Sequence, residues 1–294
     1  MAKTGSKREL DNYYRDHCVE IDSERLRRYD EMFRVPPERV DALLKPLSLS
    51  KGHRVLDFGC GPGFVATEIA RKVGPNGTVH AVDVNREFVA KAQVISEAAG
   101  ISERLTAHHI EDETLPIGTG TLDRAFAKNV LEYVPEVLNT LKEIRRTLVP
   151  GGLLAAVDSD WGFVVVEPFS PDETRELFEA AQPAFREPYI GRRLASLFRQ
   201  AEYSEIEVRV NPVVDRKGHL QGVVHNMLAY ALQFNRLEKR QVDIYKERLQ
   251  GAIEDGDYMF ILPQFVVRGV KAVSYTHLRA HETDSYLVCR LLLE

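Results

Sequence analysis

The chain has 294 residues, 44% of them hydrophobic and 28% charged, so it can bury a full-sized core as one large domain or two small ones. Its net charge of -5 gives no general attraction to phosphate backbones, and no nucleic-acid partner is expected. Cys18, Cys60 and Cys289 lack disulfide or metal-site spacing, the first ten residues are too polar for a signal peptide, and no apolar run is long enough to span a membrane, so a reducing, cytoplasmic setting is expected and no metal.

Residues 6–33 are charged, carry Tyr13, Tyr14 and Tyr29, and predict one or two helices that stop before Pro36-Pro37. Residues 1–45 are therefore expected to form an N-terminal helical cap, with a short helix over 37–44. Residues 53–58 predict an apolar strand that runs into Gly59-Cys60-Gly61-Pro62-Gly63, followed by a helix over 64–73. A second strand is predicted at 78–82, ending at Asp83, and then a helix at 87–99, a weaker strand at 105–110 and a strand at 122–127. Helix 134–148, the turn Pro150-Gly151-Gly152 and strand 153–157 complete the regular series, which leads into Asp158-Ser159-Asp160-Trp161. Alternating strands and helices predict an α/β fold with a parallel sheet and helices on both faces.

Beyond residue 160 the order loosens. Helices are predicted at 171–185 and 191–201, a strand at 206–210, two helices between 220 and 253, and a last strand at 264–269. No repeat or low-complexity linker interrupts the chain, so residues 46–272 read as one domain with a helical insertion at about 215–255, placed where a lid would sit.

Between the first strand and its helix, glycines let the backbone turn tightly and approach a ligand, and the helix N-terminus offers free N–H groups. A dinucleotide fingerprint would need glycine or alanine where this chain has Phe64, and here Asp57 precedes Gly59 by two residues. A carboxylate beside the turn suits an ammonium group better than a pyrophosphate. Asp83 at the end of the second strand can accept the hydroxyls of a ribose, with Val84 against an adenine face. Glu111 and Asp112, after the third strand, could take an adenine amino group or belong to a solvated acidic loop.

The succession Val55-Leu56-Asp57-Phe58-Gly59-Cys60-Gly61-Pro62-Gly63, Asp83, Leu115-Pro116, Leu122-Asp123, Val130-Leu131 and Pro150-Gly151-Gly152-Leu153 resembles the class I methyltransferases that use S-adenosylmethionine (SAM). It most resembles the branch holding the ubiquinone/menaquinone-biosynthesis C-methyltransferases and their small-molecule relatives. The resemblance covers roughly residues 50–160, and residues 264–271 resemble the family's closing strand. It implies a Rossmann-like, seven-stranded, mostly parallel sheet with an antiparallel last strand. It also assigns Asp57, Gly59, Gly61 and Gly63 to the methionine part of SAM, Asp83 to the ribose, Glu111 or Asp112 to the adenine, and the backbone of residues 127–129, ending at Asn129, to the methionine side. Where many relatives carry histidine after Val130-Leu131, this chain has Glu132-Tyr133, which bears on the substrate rather than the cofactor.

At the other end, residues 273–283 and 287–293 resemble the translation of a sequencing adapter, with Asp284, Ser285 and Tyr286 filling the gap between them. Residues 273–294 are therefore expected to be a read-through tail in which His277, His281 and Cys289 carry no function.

Methyl transfer from a sulfonium needs positioning more than a reactive side chain. If the acceptor must lose a proton, Asp160 and His225 are the candidate bases. Trp161 at the sheet's carboxyl edge, Tyr29 and His225 are the candidate pocket residues. The expected function is methylation of a small molecule at a C, O or N atom. Methylation of RNA or protein, or SAM binding without catalysis, remain the alternatives, and no motif speaks to the oligomeric state.

Overall fold

The computed structural model describes residues 37–112 and 114–273. The expected cap, apart from its last helix, and the expected tail beyond residue 273 lie outside the described residues, as does Tyr29.

After helix α1 (Pro37–Leu44), strand β1 (Arg54–Phe58) enters the centre of a sheet and is buried from Val55 onward. It leads through the glycine turn into α2 (Phe64–Val73). Strand β2 (Thr78–Asp83) follows, and then α3 (Arg86–Ala98), whose cap residue Asn85 accepts the Phe88 N–H with its side chain. Strands β3 (Leu105–His109) and β4 (Leu122–Lys128), helix α4 (Val137–Thr147) and strand β5 (Leu148–Ser159) complete the regular alternation. The later elements are β6 (Val165–Glu167), α5 (Pro171–Ala181), α6 (Ile190–Gln200), β7 (Tyr203–Asp215), α7 (Gln221–Gln233), α8 (Lys239–Asp255) and β8 (Met259–Lys271).

The sheet order is β3-β2-β1-β4-β5-β8, with β7 on the far side of β8. Strands β1 to β5 pair in parallel, and β8 runs antiparallel to β5, β6 and β7. Short β6 continues the line of β5 along β8, so the seven longer strands form the expected frame with one reversed strand. The ends of β1, β2, β4 and β5 thereby share one edge.

Helices cover both faces. Leu141, Ile144, Leu194 and Phe198 pack on one side, and Val40, Ala66, Ile69 and Val73 on the other. A third cluster joins Phe178 of α5, Met227 and Leu228 of α7 and Leu249 of α8 to Phe260 of β8, with Tyr133 and Trp161 packed against it. Those two residues follow β4 and β5, so the late helices meet the sheet at its carboxyl edge.

Strands β7 and β8 are each longer than the sequence predicts, for both run through a proline, Pro212 and Pro263, which face each other within the ladder. Proline is tolerated there for a physical reason. Pro263 lies between Gln264, which pairs with Ser159, and Ile261, which pairs with Val165, so it falls in the gap between β5 and β6 where no ladder hydrogen bond is required. Strand β5 likewise begins at Leu148, before the predicted turn, with a register shift absorbed opposite Leu122 and Arg124. Among the described residues no helix is long and apolar enough to cross a membrane.

Candidate cofactor and acceptor site

The glycine turn wraps the end of β2: the N–H groups of Gly59 and Cys60 both donate to the Val82 carbonyl, at 2.9 and 3.0 Å. Gly59 and Gly63 have φ of +72° and +86°, and a Cβ at either would come within 2.4 Å of Val130 Cγ2 or 2.6 Å of Ala92 Cβ. Positive φ and close packing thus both require glycine there. Gly61, at φ +51°, uses its N–H instead, donating to Asp83 Oδ2 at 2.8 Å.

Asp83 Oδ1 accepts the Asn85 N–H at 2.9 Å. Both carboxylate oxygens are therefore anchored to backbone, and each retains a second lone pair for a ligand. Burial pushes Asp83 up to about 6, against the pull of those N–H groups. Burial, with Asp83 beside it, pushes Asp57 up to about 7. Asp57 Oδ2 is buried and has no hydrogen-bond partner. Lying beside the glycine turn, this atom can accept a hydrogen bond from a ligand donor. The ammonium of a methionine moiety is such a donor, so the residues at this turn fit SAM.

Val84 is half-buried against the core, and its carbonyl lies 3.0 Å from His109 Nε2. Ile110 N–H donates to the Asp83 carbonyl, which brings the segment after β3 beside β2. Glu111 and Asp112 stand at the rim of that segment. Glu111 is exposed and pairs with Arg86 at 2.8 Å, while Asp112 Oδ1 accepts the Thr114 N–H at 2.8 Å. Asn129 adopts φ +49°, a left-handed conformation that asparagine tolerates, with its N–H on the Val157 carbonyl and its side-chain oxygen accepting from Gln264 Nε2 at 3.2 Å.

The acceptor-side residues separate. Asp160, expected as a base, is fully buried and grips Arg192 in two charge-assisted bonds, Oδ2 to Nε at 2.6 Å and Oδ1 to Nη2 at 2.7 Å, while also accepting the Gly162 N–H. Its lone pairs tie the turn after β5 to α6, an anchoring role rather than that of a proton acceptor. His225 sits in α7, where burial and the nearby Lys246 hold its pKa down. Trp161 is brought to the carboxyl edge as expected, and its indole N–H donates to Glu132 Oε2 at 2.7 Å.

Three side chains to which the sequence assigns no chemical role also belong here. Asp158, the last buried acid of β5, accepts the Leu131 N–H at 3.0 Å and is pushed up to about 7 by burial. Lys128, at the end of β4, faces Asp158, Glu132 and Asp57, and burial lowers it. Glu132 is 3% exposed, and burial with Asp158 beside it raises it well above the usual carboxylate range. Asp158 carries the same sequence signal as Asp57 and Asp83, an acid at or next to the end of an apolar strand.

An open α/β sheet in the order 3-2-1-4-5 with a reversed strand beyond, a glycine turn after β1 and acids closing β1 and β2 defines a class I SAM-dependent methyltransferase fold. A family profile described as methyltransferase domain matches residues 49–208, and the chain belongs to that family. It is 33% identical over 118 residues to methyltransferase GfsG of Streptomyces halstedii, covering 40% of this chain and 42% of that one. It is 25% identical over 181 residues to a demethylmenaquinone methyltransferase of Anoxybacillus flavithermus, covering 56% and 76%. The solved structure of YcgJ from Bacillus subtilis shares the fold, with a TM-score of 0.57 at 17% identity over 81% of this chain and 99% of that chain. The chain spans less than half the length of three of its curated relatives, at 46%, 42% and 24%.

Proposed function

We propose that this chain is an enzyme that transfers the methyl group of SAM to a small-molecule acceptor. The observation that carries this is the buried, unpartnered Asp57 Oδ2 beside a glycine turn whose central N–H is held by Asp83. Asp57 takes the ammonium of the methionine part, Asp83 the ribose hydroxyls, Val84 the adenine face, Glu111 or Asp112 the adenine amino group, and the backbone up to Asn129 the methionine side. When bound, SAM supplies a methyl carbon already activated by a sulfonium, so the protein's task is to align an acceptor behind it and exclude water. Buried carboxylates at the ends of β1, β2 and β5 supply the negative charge that favours a cationic cofactor.

The domain extends over residues 46–272, with the insertion at about 215–255 acting as a lid. Contact of the late helices with Trp161 and Tyr133 supports the lid assignment. A small-molecule acceptor is supported by the demethylmenaquinone methyltransferase relative and by the acidic charge of the chain. The scattered cysteines support a cytoplasmic setting. Incubating the chain with methyl-labelled SAM and, separately, a metabolite extract, total RNA and denatured protein tests the assignment. Label is expected in the small-molecule fraction, and label confined to RNA or protein contradicts it.

A further inference from the structure

Glu132 is almost fully buried, and a carboxylate there is costly to bury. Its backbone carbonyl accepts the N–H groups of Arg186 at 2.9 Å and Glu187 at 3.1 Å. Its side chain accepts the Trp161 indole N–H and a hydrogen bond from the Tyr133 hydroxyl. Glu132 therefore stitches three segments together: the loop after β4, the turn after β5 and the loop that leads into α6.

The two rings it holds continue into an aromatic wall. Trp161 stacks on Phe178 of α5 with centroids 5.5 Å apart and leans on Phe185 at 5.0 Å. Tyr133 meets Phe185 at 5.4 Å, and Tyr230 of α7 meets it edge-on at 6.5 Å. On its other side Glu132 faces Asp158 from β5 and Lys128 from β4, and Lys128 in turn faces Asp57 of the glycine turn. From the loop before α6 it receives main-chain N–H groups, and the Glu187 side chain there is paired with Arg193.

We propose that Glu132 is a positioning residue that sets the aromatic wall of the acceptor pocket and couples it, through Lys128, to the charge held at the cofactor's methionine end. This rests on the SAM reading above. A mere packing role would be met better by an apolar side chain, because burying a second acid beside Asp158 is unfavourable unless the charge is used.

Trp161 is the only tryptophan, so its emission reports on Glu132 directly. In the full chain its emission should step with pH as the Glu132–Asp158 pair takes up a proton, and SAM should move that step to lower pH, since an added positive charge favours the ionised carboxylates. Glu132→Gln should keep the secondary structure and the emission wavelength but lose both the step and the SAM response. Glu132→Leu should shift the emission to longer wavelength and increase acrylamide quenching. If Glu132→Gln does not fold, Asp158→Asn serves in its place and should move the step to lower pH. A wild-type chain whose emission has no pH step, a Glu132→Gln variant that keeps the step, or an unmoved step in Asp158→Asn would each overturn the proposal. Calorimetry with SAM separates the two levels: no binding overturns the methyltransferase reading, whereas binding with a silent Trp161 overturns only the role of Glu132.

Discussion

Gly61 donates its backbone N–H to Asp83 Oδ2 at 2.8 Å, so the centre of the glycine turn and the end of β2 form one unit. Asp83 is expected both to shape the turn and to receive the ribose. Asp83→Ala leaves the Gly61 and Asn85 N–H groups without their acceptor, and should lower SAM affinity and protein stability by about 1.5–3 kcal/mol each. Asp83→Asn retains one acceptor oxygen and should lose less on both measures. Calorimetry and thermal unfolding of the two variants check this, and equal losses would mean that the charge matters more than the anchoring.

The raised carboxyls make stability and cofactor affinity respond to pH in opposite directions. Asp57 near 7 and Asp83 near 6 hold protons in the folded chain that the unfolded chain has already released above the ordinary range near 4. The folded state therefore binds more protons between about pH 4 and 7, and SAM-free stability should fall as pH rises across that window. Affinity for SAM should rise over the upper part of the same window, because its positive charge favours the ionised forms. Proton release on binding, measured by calorimetry in buffers of different ionisation enthalpy, checks the linkage.

Glycine substitutions separate backbone conformation from packing. Gly63→Ala must place a Cβ 2.6 Å from Ala92 Cβ at φ +86°, and should cost about 2–4 kcal/mol from overpacking and left-handed strain together. Gly52 has φ +84° but nothing within 4 Å of its Cβ, so Gly52→Ala should cost only the conformational part, about 1–2 kcal/mol. Urea unfolding of both variants measures the difference.

The strand, glycine turn and helix series from β1 to β5 was legible because each strand is a short apolar run closed by an acid or a turn. The ends of β7 and β8 were not, since Pro212 and Pro263 argue against a strand unless the gap between β5 and β6 is known. At the site, Asp57 and Asp83 could be read from their register with the glycines. The roles of Lys128, Glu132 and Asp158 could not, because their significance lies in facing one another across separate segments. Asp160 looked equally available in the sequence, and only the position of Arg192, 32 residues later, reveals that it is committed elsewhere.

That commitment gives a further expectation. Arg192→Leu strips the partner from a fully buried Asp160, and because Arg192 itself is half-exposed the loss should be about 1–3 kcal/mol, below that of a fully buried pair. SAM affinity should be nearly unchanged, since the hydrogen bonds of Asp160 tie the turn after β5 to α6 and not to the glycine turn. Thermal unfolding and calorimetry on this variant check both halves of the statement.

The central claim is tested most directly by calorimetric titration of the full chain with SAM, S-adenosylhomocysteine and NAD, in parallel with Asp57→Ala. The account predicts binding of both sulfur compounds, none of NAD, and a marked loss for SAM in the variant, where the orphaned buried oxygen is gone. Binding of NAD without SAM, or SAM affinity indifferent to Asp57, would contradict it.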